Sequence, residues 1–124
     1  MRVVLALALT AGAAAADVNG IPDAIYAHTL DRFLAEQIAG ACGDYSFDRE
    51  AADANGAAVE AASGLSEAEL KGLAEKIPME QLAADVVALF AEKKIDAGKP
   101  ASFCRAGKAE IAAKSAIGAY LKTK

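Results

Sequence analysis

The two cysteines of this chain raise the first chemical question, because a thiol can be a nucleophile, a metal ligand or half of a disulfide. Cys42 and Cys104 lie far apart, and neither belongs to a C-x-x-C or C-x-x-C-H motif. This argues against a thioredoxin-like redox site and against attachment of a c-type haem. An even pair of cysteines behind an export signal instead predicts an intramolecular Cys42–Cys104 disulfide.

The single histidine, His28, is the second candidate for chemistry. Asp31 follows it at a spacing that places both side chains on one side of a helix. The carboxylate would favour the charged imidazole and could orient the ring for acid–base work. However, the chain has no G-x-S-x-G, no H-E-x-x-H and no glycine-rich phosphate loop. We therefore favour a surface His–Asp pair, and one histidine with two oxidised cysteines argues against zinc.

Glu110 is the third candidate, since it lies at the edge of an apolar stripe on the predicted last helix. If it is buried, its carboxyl group could act as a general acid or bind a ligand. If it lies at the helix boundary, it would pair with Lys114 four residues later, and we favour this ion pair. No other combination of residues suggests catalysis. We therefore expect no enzymatic activity and no cofactor.

The first sixteen residues, MRVVLALALTAGAAAA, have the pattern of a signal peptide. Arg2 precedes a short apolar run, and Ala14 and Ala16 form an A-x-A cleavage site. We predict cleavage after Ala16, which divides the chain into a signal peptide (1–16) and one helical domain (17–124). A periplasmic or secreted location follows.

The charge and hydropathy of the rest of the chain limit its partners. With 13 Lys and Arg against 17 Asp and Glu, the net charge of −4 gives no help in binding nucleic acid or anionic lipid. No apolar run after the signal approaches the roughly 20 residues of a membrane helix. We expect no nucleic acid, no membrane contact after cleavage and, as a partner, another periplasmic protein.

The elements that position these residues are predicted to be helices, because the chain is rich in alanine and lacks period-2 patterns. We predict an all-α single domain of four to five helices. The first begins near Pro22 and ends near Cys42, and a weaker second one allows a break at Asn55-Gly56. A capping box at Ser66 and a break at Pro78 mark the next two starts.

The last helix is predicted to run from Pro100 to about Leu121. A disulfide between Cys42 and Cys104 would then join the first and last helices as an antiparallel pair. Gly107 and Gly118 cost stability inside a helix, and we expect them to allow close approach of the first helix.

The segment PASFCRAGKAEIAAKSAIGAYL resembles the C-terminal signature of small exported alphaproteobacterial proteins that form a domain of unknown function. The signature reads approximately P-x-S-[YF]-C-x-x-G-x-x-E-I, followed by an Ile-Gly pair and a leucine. Its positions here are Pro100, Ser102, Phe103, Cys104, Gly107, Glu110, Ile111, Ile117, Gly118 and Leu121. Lys99 stands where the family often has a helix-capping aspartate. The resemblance implies export, a helical fold and the disulfide, and it supplies no activity.

Three functional hypotheses remain. The first is a non-enzymatic periplasmic protein that binds another protein or supports envelope homeostasis. The second is an acid- or stress-responsive periplasmic chaperone, which would expose apolar surface at low pH. The third is a small hydrolase that uses His28 or Glu110.

Overall fold

The computed structural model describes residues 20–124, so the predicted signal peptide and its cleavage site lie outside the described residues. In chain order the elements are α1 (Asp23–Ala41), β1 (Tyr45–Phe47), α2 (Arg49–Ser63), α3 (Glu67–Ala74), α4 (Met79–Glu92), α5 (Pro100–Ala113), α6 (Ala116–Ala119) and β2 (Leu121–Thr123). The predicted helical single domain is confirmed. Six helices and one small two-stranded sheet are found in residues 20–124.

Helix α1 begins and ends where the sequence predicts. Pro22 precedes its first residue, Asp23, whose carboxylate lies at the positive end of the helix. Cys42 follows its last residue and donates its backbone N–H to the carbonyl of Ile38. The buried side of α1 consists of Tyr26, Leu34, Ala35 and Ile38.

Helix α2 runs through the Asn55-Gly56 dipeptide without a break. Its start is capped by the Asp48 carboxylate, which accepts the backbone N–H of Ala51. Gly56 is buried against α1, and a Cβ at this position would lie 2.7 Å from Nε2 of His28. The glycine is therefore explained by a close helix–helix contact, and not by a turn.

Helices α3 and α4 begin at the predicted signals. Ser66 and Glu69 form the reciprocal capping box of α3, and Pro78 directly precedes α4. Both helices lie at the margin of the molecule, with few close backbone approaches to the other elements. The structure describes every residue of α4, and none of them is fully buried.

The predicted last helix is wrong beyond Ala113. The backbone enters the left-handed region at Lys114 (φ 56°), and Ser115 caps the short helix α6 by accepting the N–H of Gly118. A Cβ on Gly118 would overlap the backbone carbonyl of Glu110. Gly118 thus allows the chain to fold back on the end of α5, whereas we expected it to face the first helix.

The expectation for Gly107 is confirmed. A Cβ there would lie 3.0 Å from Cγ2 of Ile38 on α1 and 2.8 Å from the Tyr45 ring. Together with the disulfide one turn away, this contact shows that α1 and α5 run in opposite directions. At the start of α5, Lys99 makes no side-chain cap hydrogen bond.

The chain ends in a strand that the sequence did not predict. Strand β2 pairs antiparallel with β1, with Tyr45 opposite Thr123 and Phe47 opposite Leu121. Helix α1 packs between α2 on one side and α5 with α6 on the other. The central core cluster consists of Leu34, Ala35, Ile38, Cys42, Ala52, Ile95, Phe103, Ala106, Ile117, Tyr120 and Leu121.

Candidate functional site: a polar cleft and an apolar groove on helix α1

The predicted disulfide is confirmed, with the Cα atoms of Cys42 and Cys104 5.2 Å apart. The sulfurs and a carboxylate oxygen of Asp44 lie within 4.8 Å of one another, and they form the one group of potential metal ligands in residues 20–124. Metal binding to cysteine requires a thiolate, and both sulfurs are engaged in the disulfide. This group is therefore structural in the oxidised protein.

His28 lines a polar cleft of about 540 Å³ between α1 and α2. We call this the polar cleft; it is lined by His28, Thr29, Arg32, Phe33, Glu36, Asp53, Gly56, Ala57 and Glu60. Arg32 on α1 forms a 2.5 Å ion pair with Asp53 on α2, and both residues line the cleft. The cleft thus combines one histidine, one paired arginine and three acidic side chains.

The partner of His28 is Tyr120, near the end of the chain, and not Asp31. Its Nδ1 lies 3.0 Å from the Tyr120 hydroxyl oxygen, which also accepts a hydrogen bond from Nδ2 of Asn55. Because Asn55 donates, the phenolic proton is free to point at Nδ1. This arrangement assigns the His28 proton to Nε2, on the side of the ring that faces Gly56.

The surroundings of His28 favour its neutral form. Partial burial and the Arg32 guanidinium lower the pKa of His28 below the usual 6.5, against the smaller opposite effects of Glu60 and Asp53. The predicted effect of Asp31, a charged imidazole, is therefore wrong.

Glu110 is buried, with 8% of its surface exposed, and its predicted partner is also wrong. Its carboxylate accepts the Ser115 hydroxyl at 2.5 Å and lies 3.1 Å from Nζ of Lys93. Lys114 follows the end of α5 with a left-handed backbone and is exposed. Glu110 does not line the polar cleft, and its contacts are those of a structural residue at the α5–α6 junction.

Asp31 lies near this buried pair. Burial raises the pKa of Asp31, and the carboxylates of Glu110 and Glu92 add to that effect against the Lys93 ammonium. The Lys93 ammonium is therefore the cation shared by the carboxylates of Asp31, Glu110 and Glu92. The Lys93–Glu110 ion pair links the end of α4 to α5, and the Asp31 carboxylate on α1 is close enough for both charges to affect its pKa.

A second cavity lies between α1 and α4, has a volume of about 420 Å³ and is almost entirely apolar. We call it the apolar groove; it is lined by Thr29, Leu30, Phe33, Met79, Leu82, Ala83, Val86 and Val87. Met79 is 73% exposed, Val87 68% and Phe33 36%. The helical spacing of these apolar residues is visible in the sequence, but such a pattern normally indicates a stripe that faces the core and not an exposed groove.

One hydrogen bond joins α1 and α4, the two helices that line the apolar groove. The Tyr26 hydroxyl on α1 donates to Oδ2 of Asp85 on α4 at 2.5 Å. Burial and this carboxylate raise the pKa of Tyr26 to about 12. The Tyr26 hydroxyl therefore keeps the proton that it donates to Asp85 well above neutral pH.

Comparisons with known proteins give a family and no activity. No helix within residues 20–124 is long and apolar enough to cross a membrane. No curated protein and no solved structure is significantly similar to the chain. The sequence profile of a family described as a family of unknown function, DUF5333, matches residues 16–122, and the chain belongs to this family.

Proposed function

We propose that this chain is an exported, non-enzymatic protein that binds another polypeptide through the apolar groove. The observation that carries the proposal is the unburied apolar stripe of α4, which faces a groove instead of the core. Burying one such side chain contributes roughly 1.5–3 kcal/mol, so a partner that covers Met79 and Val87 would gain considerable free energy. Contiguous exposed apolar surface is typical of interaction sites.

A photo-crosslinking amino acid at position 87 tests this proposal in cells that express the chain. Val87 is exposed and lines the groove, whereas Ala58 is exposed and lines neither cavity. We expect a discrete protein adduct from position 87 and none from position 58. Equal adducts from both positions, or no adduct from position 87, would contradict the proposal.

Export to the periplasm, as in the alphaproteobacterial proteins that the C-terminal segment resembles, is part of the same proposal. It is supported by the Arg2, apolar and A-x-A pattern of residues 1–16 and by the disulfide, which forms in oxidising compartments. Mass spectrometry of the protein from a periplasmic fraction should find Asp17 at its N-terminus. A cytosolic protein that keeps Met1 would contradict export.

A hydrolase that uses His28 has weaker support. The hydroxyl bonded to His28 belongs to Tyr120, which is 2% exposed and cannot reach a substrate. The Thr29 hydroxyl in the polar cleft donates to the Ile25 carbonyl. Neither arrangement resembles an activated nucleophile with its base, which supports a non-enzymatic role.

An acid-responsive chaperone is a second candidate, favoured by the lowered pKa of His28. Protonation of His28 on acidification places a charge, beside the Arg32 guanidinium, in the partly buried contact of α1 and α2 with Tyr120, which weakens that contact. Light scattering of an aggregating client protein tests this candidate. We expect the protein to suppress aggregation near pH 5 and not near pH 7.5; equal or absent protection at the two pH values would exclude it.

A further inference from the structure

The apolar groove and the polar cleft are two halves of one surface. Thr29 and Phe33 on α1 line both cavities, the groove on the α4 side and the cleft on the α2 side. A partner that fills the groove must therefore also pass along the rim of the cleft. The chemistry of that rim restricts what the partner can be.

The rim of the polar cleft is acidic. Asp53 is neutralised by Arg32, but Glu36 and Glu60 are exposed and form no ion pair within residues 20–124. His28 does not offset them, because its surroundings favour the neutral ring. Two carboxylates without a cationic partner thus line the cleft that adjoins the apolar groove.

The apolar lining of the groove is provided by two helices. The residues from α4, which are Met79, Leu82, Ala83, Val86 and Val87, recur at intervals of three and one, so they form one stripe about two turns long. The groove is walled by two helices whose backbone groups are already hydrogen-bonded, and it therefore offers no strand edge for pairing. A third helix can place its own stripe between α1 and α4.

We propose that the partner segment is an amphipathic helix whose apolar stripe fills the groove and whose lysine or arginine side chains flank it on one side, toward Glu36 and Glu60. This inference rests on the proposed function and adds the chemistry of the partner to it. A second copy of this acidic chain would bring like charges together, and an anionic membrane would be repelled for the same reason. Charge complementarity selects a basic polypeptide.

Three fluorescent peptides of about five helical turns test the proposal by anisotropy against the oxidised protein at low salt. The first has a leucine stripe with flanking lysines, the second has the same stripe with flanking glutamates, and the third has the lysines with serines in place of the leucines. We expect the first to bind at least about tenfold more tightly than the second. We expect no binding of the third.

Variants assign the effect to the two parts of the surface. E36Q/E60Q should remove most of the preference for lysine over glutamate, whereas the control E50Q/E67Q neutralises two exposed acids that line neither cavity and should keep it. Val87→Asp should abolish binding of both leucine peptides. Val87 is largely exposed, so this variant should retain its fold, which circular dichroism checks.

The outcomes separate the two levels of the proposal. Equal binding of the lysine and glutamate peptides would overturn the basic partner and leave groove binding standing. Failure of both leucine peptides to bind would overturn the proposed function as well. If sedimentation shows a dimer that Val87→Asp dissociates, the occupant is a second copy and the basic partner is excluded.

Discussion

At the scale of single residues, Glu110 shows how a polar group contributes to a small helical core. Its carboxylate is held between the Ser115 hydroxyl and the Lys93 ammonium, which come from different segments. A buried charge of this kind is stable only while its partners are present. The residue therefore fixes the position of Lys93 and the turn after α5.

We expect Glu110→Gln to lower the free energy of unfolding by about 1–3 kcal/mol, because Lys93 loses its buried counter-charge. Urea denaturation followed by circular dichroism measures this loss. Glu92→Gln is the matched control, since its carboxylate lies 4.0 Å from the same lysine and is 70% exposed. Equal losses in the two variants would contradict the structural role of Glu110.

The second residue-scale prediction concerns the pKa of His28, which proton NMR can follow without overlap because the chain has one histidine. We expect a value below 6.5, and we expect Arg32→Gln to raise it, since the variant removes a cation and frees the Asp53 carboxylate. Arg49→Gln is the control: the guanidinium groups of Arg32 and Arg49 both lie over the Phe47 ring, but only loss of Arg32 should change the His28 pKa. A value at or above 6.5 in the native protein would contradict the described contacts.

The lowered pKa of His28 also determines how the free energy of unfolding changes with pH. Because folding lowers the His28 pKa, the unfolded chain binds the proton more readily below pH 6.5. The contribution of His28 to stability is present above that pH and is lost as the pH falls through the folded-state pKa. Asp31 acts in the opposite sense, since its pKa is raised on folding and acidification relieves the cost of its charge.

The sequence identified His28 and Glu110 as notable but could not identify their partners. Helical spacing predicts neighbours three and four residues away, which here were Asp31 and Lys114. The real partners are Tyr120, 92 residues from His28, and Lys93 on the segment after α4. Such pairs are made by tertiary packing, which no local pattern encodes.

At the scale of elements, the turn between α5 and α6 depends on Gly118. The backbone carbonyl of Glu110 occupies the space that a Cβ would need, and a carbonyl inside a helix end cannot move aside easily. We expect Gly118→Ala to lower the free energy of unfolding by roughly 2 kcal/mol or more. Urea denaturation measures the change.

Gly72→Ala on α3 provides the matched control, because a Cβ there meets nothing within 4 Å. This variant should be neutral or gain up to about 1 kcal/mol from the better helix propensity of alanine. If Gly118→Ala behaves like Gly72→Ala, the close return of the chain on α5 is wrong.

Helix starts were predictable and helix ends were less so. Pro22, Ser66 and Pro78 act locally, and each marks a start in the structure. No glycine or proline marks the end of α5 at Ala113. The helix ends there because Lys114 adopts the left-handed conformation, which is unusual for a lysine. Conversely, the Asn55-Gly56 turn signal was overridden because Gly56 packs against the His28 ring.

At the scale of the whole molecule, the disulfide closes a loop of 62 residues that contains β1, α2, α3 and α4. A closure of this length restricts the unfolded chain by on the order of 4 kcal/mol. We expect C42S/C104S to melt more than about 10 °C below the oxidised protein. Reductant should lower the melting temperature of the native protein and not that of the variant.

Identical melting temperatures for the native protein and C42S/C104S would contradict this stabilising role. The pairing itself was predictable from the cysteine number and the export pattern.

The apolar groove was not predictable, because Phe33, Met79 and Val87 lie in stripes that look like core positions. Whether these three side chains are exposed depends on how helix α4, at the margin of the molecule, packs against α1.

The position of strand β2 also determines when folding can finish. Residues 115–124 supply the Ser115 bond to Glu110, the Tyr120 bonds to His28 and Asn55, and the pairing with β1. A chain synthesised from its N-terminus cannot make these contacts until residues 115–124 have emerged. Until then the domain lacks Ile117, Tyr120 and Leu121 from its core and remains incompletely folded.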